Sequence, residues 1–104
     1  MQIDIVDSNV KFTDSYKRRL LVKFTSIIDK YLNGMSEDLK VATLSIHKNL
    51  RGSYELKFNM EKVPFAKIYV QHVSPDLLPG IVSLRNQVKR QIRENIIKFR
   101  DMSR

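Results

Sequence analysis

The chain contains no cysteine and no tryptophan, and only three glycines and three prolines in 104 residues. Without cysteine there are no disulfides, thiol nucleophiles, zinc–thiolate sites or iron–sulfur clusters. Scarce glycine and proline leave no room for a flexible linker, and no repeat or low-complexity stretch is present. No apolar run approaches the roughly 20 residues of a membrane span. The start, Met1-Gln2-Ile3-Asp4, lacks the basic-then-apolar pattern of a signal peptide. The expectation is a single domain over 1–104, cytoplasmic, with no membrane partner.

The chain is rich in positive charge. Nineteen Lys and Arg face eleven Asp and Glu, a net charge of +8, and the isoelectric point is near 9.9. Such a balance points to a polyanionic partner, nucleic acid first. The hydrophobic fraction of 42% is that of a chain able to build one core.

Periodicity assigns the elements. Ile3, Ile5 and Val6 read as a strand, and Asp7-Ser8-Asn9 as a turn. Thr13 is placed to cap a helix that Asp14 begins, with Tyr16, Leu20, Phe24, Ile27 and Tyr31 at helical spacing and Asn33-Gly34 as its stop, so the helix spans about 14–32. The period then drops to two. Ala42, Leu44 and Ile46 alternate with polar neighbours, as do Tyr54, Leu56, Phe58 and Met60, and then Ala66, Ile68 and Val70. Asn49-Leu50-Arg51-Gly52-Ser53 forms the hairpin between the first two of these runs and Val63-Pro64 marks the next turn. Ser74-Pro75-Asp76 supplies a capping hydroxyl, a proline and an acid for a second helix, whose stripe is Leu77, Ile81, Leu84, Val88, Ile92 and Phe99. Pro79 and Gly80 place its regular part from about Pro79 onward. The expected fold is α+β, in the order β-α-β-β-β-α, with an antiparallel meander in a four-stranded sheet and two helices packed on one face.

The positive charge is sorted. At 100° per residue Arg19, Lys23 and Lys30 fall within roughly 40° of one another on the first helix. On the second, Arg85, Lys89, Arg93, Arg100 and Arg104 fall within roughly 100°, beside the apolar stripe. Residues 85–104 hold seven basic and two acidic side chains. Charge on an outer helix face serves solubility, but a solubilising surface mixes signs, and same-sign stripes repel at i and i+4 unless a polyanion neutralises them. The expected RNA-binding set is Arg19, Lys23, Lys30, Arg85, Lys89, Arg90, Arg93, Lys98 and Arg100. Most aromatics sit at core spacing. Phe65 and Tyr69 fall on the opposite strand face beside Lys67, where stacking on bases and packing on a partner are both open.

Catalytic patterns are missing. His47 and His72 have no partner at triad or metal-ligand spacing, there is no glycine-rich phosphate loop, and the acids are dispersed. No enzymatic activity, cofactor, metal or small-molecule substrate is expected.

Asn9-Val10 ahead of Thr13, then Lys23-Phe24, then Asp76-Leu77, and above all the run Leu84 to Ile92 with Arg90-Gln91-Ile92, together resemble the ribosome hibernation-promoting factors, also called ribosome-associated inhibitors or sigma-54 modulation proteins. The resemblance covers nearly the whole chain. It departs at Pro79-Gly80, and at Gln87 and Glu94, where relatives often carry lysine. It implies a non-enzymatic ligand of the small ribosomal subunit, bound to ribosomal RNA where messenger and transfer RNA would sit. It also implies a short form without the dimerising domain of longer members, monomeric when free. Two other readings stay open: a double-stranded-RNA-binding module, which shares the helix–three strands–helix core, and an acylphosphatase-like hydrolase, whose order is strand–helix–strand–strand–helix–strand.

Overall fold

The structure, a computed structural model, describes the backbone of residues 2–8, 10–32, 36–63 and 67–102, and the side chains of all of these except 2, 28, 37 and 99–102. The expectations for Asn9, Asn33-Gly34, Pro64, Phe65, Ala66 and Arg104, and for the side chains of Phe99 and Arg100, lie outside the described residues.

The elements are β1 (Gln2–Ser8), α1 (Asp14–Tyr31), a short 3₁₀ turn (Glu37–Leu39), β2 (Val41–Lys48), β3 (Tyr54–Met60), β4 (Ile68–Ser74) and α2 (Leu77–Met102). The fold is α+β in the order β-α-β-β-β-α, as the periodicity implies. The four strands form one sheet in the order β1-β2-β3-β4. β1 runs parallel to β2, with Ile3 opposite Ala42 and Ile5 opposite Leu44, and β2, β3 and β4 form the antiparallel meander. A parallel pair needs a crossover, and α1 is that crossover. Among the described residues no helix separates β3 from β4, and the element order differs from that of an acylphosphatase.

Strict alternation drives the core to one face. Ala42, Leu44 and Ile46 of β2, Leu56, Phe58 and Met60 of β3, and Ile68 and Val70 of β4 are all buried. They meet Leu20 and Phe24 of α1 and Ile81, Leu84, Val88 and Ile92 of α2. Phe24 stacks on Phe58 with ring centroids 5.2 Å apart at 11°. The other face of the sheet carries no helix stripe: Val6, Tyr69 and Val73 are exposed there. Tyr16, Tyr31 and Tyr54 stand at the margin of the core rather than in it, and Phe12 stacks on Tyr16 at 5.2 Å.

Local signals explain the element ends. Thr13 Oγ1 accepts from the Tyr16 amide at 3.2 Å and caps α1. In the β2–β3 hairpin Asn49 Oδ1 accepts from the amides of Arg51 and Ser53, and Gly52 takes φ +83°, which a residue with a Cβ adopts only under strain.

The start of α2 corrects the sequence reading. Ser74 belongs to β4, the helix begins at Leu77, and it runs through Pro79 and Gly80. Ser74 Oγ instead donates to the Asp76 carbonyl at 2.7 Å, and the Gly80 amide closes the first turn on the same carbonyl at 3.2 Å. Pro79 is the third helical residue, where an amide has no partner inside the helix, so its missing donor costs nothing. Gly80 is there for contact. A Cβ on it would lie 2.7 Å from Ser74 Cβ and 3.0 Å from Leu56 Cδ1, which is fully buried. Replacing Gly80 by alanine gains about 1 kcal/mol of helix propensity but forces a close-packed joint apart at about 1–3 kcal/mol. We expect Gly80→Ala to be net destabilising, read as a lower denaturant midpoint; a midpoint equal to or above wild type would contradict this packing.

Candidate nucleic-acid interface

The helices lie side by side on the sheet, and the seam between them collects positive charge. A groove of about 310 Å³ is lined by Ser26, Ile27, Lys30 and Tyr31 of α1 and by Arg85, Asn86 and Lys89 of α2. Among the described residues no carboxylate lines it. Helical spacing extends it both ways. Arg19 and Lys23 share the flank of α1 that Lys30 occupies, and Arg93 stands one turn beyond Lys89 on α2. Arg19, Lys30 and Arg93 are exposed, and Lys23, Arg85 and Lys89 are half-buried. Lys30 Nζ lies 5.6 Å from the Tyr31 ring centroid, a cation–π contact that holds it over the groove.

These cations are not spent on internal pairs. Among the described residues Lys30, Arg85 and Lys89 have no ion-pair partner. Lys17, by contrast, is engaged 3.7 Å from Asp7 of β1 and serves the fold. Arg85, Lys89 and Arg93 follow one another at i, i+4 and i+8, where like charges repel by about 0.2–0.5 kcal/mol per pair. The arrangement is costly to the free protein and favourable beside a polyanion.

Two of the expected residues lie elsewhere. Arg90 is on the other flank of α2 and lines a second, polar groove along β4 with Gln87, Gln91, Glu94 and Tyr69. Lys98, seven residues after Gln91, shares that flank. The nine-residue set therefore divides: six line or extend the seam, Arg90 and Lys98 face the β4 edge, and the side chain of Arg100 is outside the described residues.

Along β4 the sequence conceals a structural role for Gln91. Its Oε1 accepts from the Tyr69 amide at 2.9 Å and its Nε2 donates to the Tyr69 carbonyl at 3.2 Å. The side-chain amide thus pairs with the outer edge of the sheet as a neighbouring strand would. One turn earlier Gln87 Nε2 donates to His72 Nδ1 at 3.3 Å, which gives His72 a structural role. A glutamine in a basic helix carries no sequence signal for this; the arrangement becomes visible only when α2 is laid beside β4. Gln91→Ala leaves two edge groups without that partner, and we expect it to cost about 1–2 kcal/mol in urea unfolding. Unchanged stability would show that water replaces the amide at no cost.

Among the described residues no group of three His, Cys, Asp or Glu could hold a metal ion. His47 stands on the uncovered sheet face opposite Glu55. Tyr69 is half-exposed on that face, opposite Asn59, with no second described aromatic in its neighbourhood on β3. Among the described residues no helix is long and apolar enough to cross a membrane.

No family model matches the chain, and no curated protein matches it in sequence. Solved structures do match in fold. The N-terminal domain of Protein Y from Thermus thermophilus superposes with a TM-score of 0.72 at 17% identity, over 90% of this chain and 98% of that one. A ribosomal subunit interface protein from Coxiella burnetii superposes with a TM-score of 0.62 at 16% identity, over 90% of this chain and 96% of that one. The chain has the α+β fold of these proteins over most of its length.

Proposed function

We propose that this chain is a ribosome-binding factor of the hibernation-promoting kind. Its helical face docks on ribosomal RNA of the small subunit, in the channel between head and body, and blocks the places of messenger and transfer RNA. The observation that carries this reading is the seam: three cations line a groove between the two helices and three more share their flanks by helical spacing, on a fold shared with the N-terminal domain of Protein Y and with a ribosomal subunit interface protein. Phosphate neutralisation supplies affinity without base readout, which suits a surface made of lysine and arginine.

The mode of action is occupancy. The chain acts as one domain, in the cytoplasm where ribosomes are, as a monomer until bound, and turns over no substrate. Titration into a cell-free translation system tests this. Inhibition saturates near one protein per ribosome, and a high-salt wash of the ribosomes restores activity. Inhibition far below stoichiometry, or damage that survives the wash, overturns occupancy. Equal binding to any RNA duplex, with no enrichment in the small-subunit fractions of a sucrose gradient, returns the double-stranded-RNA reading.

A further inference from the structure

Arg85 contains a feature that diffuse attraction to RNA does not require. Its Nε atom is buried, and among the described residues it has no hydrogen-bond partner. A buried donor left unpaired costs about 1–3 kcal/mol, and native proteins rarely leave one so. The guanidinium stands in the seam groove with Lys30 and Lys89, and Asn86 adds a neutral amide. Among the described residues no carboxylate lines the groove, so no fixed anion there competes for these donors. A groove of about 310 Å³ is too large for one water and suits a small anionic group.

We propose that the seam contains a discrete oxyanion site, in which the Arg85 guanidinium and the ammonium groups of Lys30 and Lys89 bind one phosphoryl group, the Arg85 side chain turning so that its buried Nε–H also gains an acceptor. The guanidinium edge offers directed donors to phosphate oxygens, which a lysine cannot reproduce, and the two ammoniums supply the balancing charge. On the RNA reading above, on which this part rests, one backbone phosphate enters the groove and fixes the register of the protein on its target. The same chemistry admits a free diphosphate, which would then compete with RNA.

The probe is inorganic pyrophosphate, followed by the nitrogen–proton resonance of Arg85 Nε and by backbone amides, at constant ionic strength. Saturable 1:1 binding centred on Lys30, Arg85 and Lys89 is expected. Arg85→Lys keeps the charge but loses the directed donor, and should weaken pyrophosphate by about tenfold. Lys57→Gln, on the opposite sheet face, should leave it unchanged. Unsaturable shifts spread over all basic residues, or an Arg85→Lys protein that binds as tightly as wild type and folds by circular dichroism, would overturn the site. A second arm separates the two phosphate sources. If pyrophosphate displaces the protein from small subunits beyond the effect of matched sodium chloride, the groove holds an RNA phosphate. If it binds without displacing the protein, the site serves free phosphates. Failure of the wild-type protein to bind ribosomes at low salt would sink the ribosome reading and leave the pyrophosphate result standing.

Discussion

Affinity for the small ribosomal subunit is expected to fall by about a thousandfold between 50 and 200 mM salt. Six cations line or extend the seam, and each phosphate they neutralise releases condensed counterions, so the logarithm of affinity falls with the logarithm of salt at a slope near −5. The effect is large because the rest of the lining is small: Ile27 and the Tyr31 ring supply its apolar part, and Ser26 and Asn86 add neutral polar groups. Sedimentation of labelled protein with purified subunits at stepped salt reads the slope directly. A slope shallower than about −2 would mean that buried contacts, not phosphates, hold the complex.

Charge reversal should separate the two flanks of α2. The triple variant Lys30→Glu, Arg85→Glu, Lys89→Glu removes three contacts of about 1 kcal/mol each and adds repulsion, a loss of several hundredfold or more, with the salt slope reduced by about three. Reversing Arg90 and Lys98 on the β4 flank should cost far less, since those charges act on seam-bound RNA only through solvent, screened over a Debye length of about 10 Å at 0.1 M salt. The measurement is a binding isotherm at one salt concentration for both variants, with thermal melts to establish that each is folded. Equal losses would show that the RNA surface wraps over the helix and that the seam is not its centre.

The sequence reveals this fold where short-range periodicity decides it. Alternation through Ala42, Leu44 and Ile46 and through Leu56, Phe58 and Met60 requires one buried sheet face, and the stripe from Ile81 to Ile92 requires a helix covering it. Thr13 and the Asn49–Ser53 hairpin act through their own backbone, so they too are readable. The parallel seat of β1 beside β2 is not, because it depends on a pairing across the whole of α1. The start of α2 misleads for a local reason: Pro79 looks like a barrier until its position as third helical residue is known. The charged surface is half-legible. A helical wheel groups Arg85, Lys89 and Arg93, but which flank faces α1 depends on how α2 lies on the sheet. Arg90, adjacent in sequence to Lys89, is thereby taken to the other side. Gln91 is the extreme case, a residue whose partner is a strand edge more than twenty residues away.

The amide pairing of Gln91 with Tyr69 also bears on how the chain is made. Synthesis completes β4 at Ser74 and then continues through nearly four turns of helix before Gln91 exists. During that interval a nascent sheet presents an open edge, the feature by which unfinished β structure captures other chains. The latch closes when α2 settles and not before. Formation of the last helix is thus the event that ends the vulnerable period of biogenesis, and a variant slow to form α2 would be lost to aggregation even if its finished state were stable.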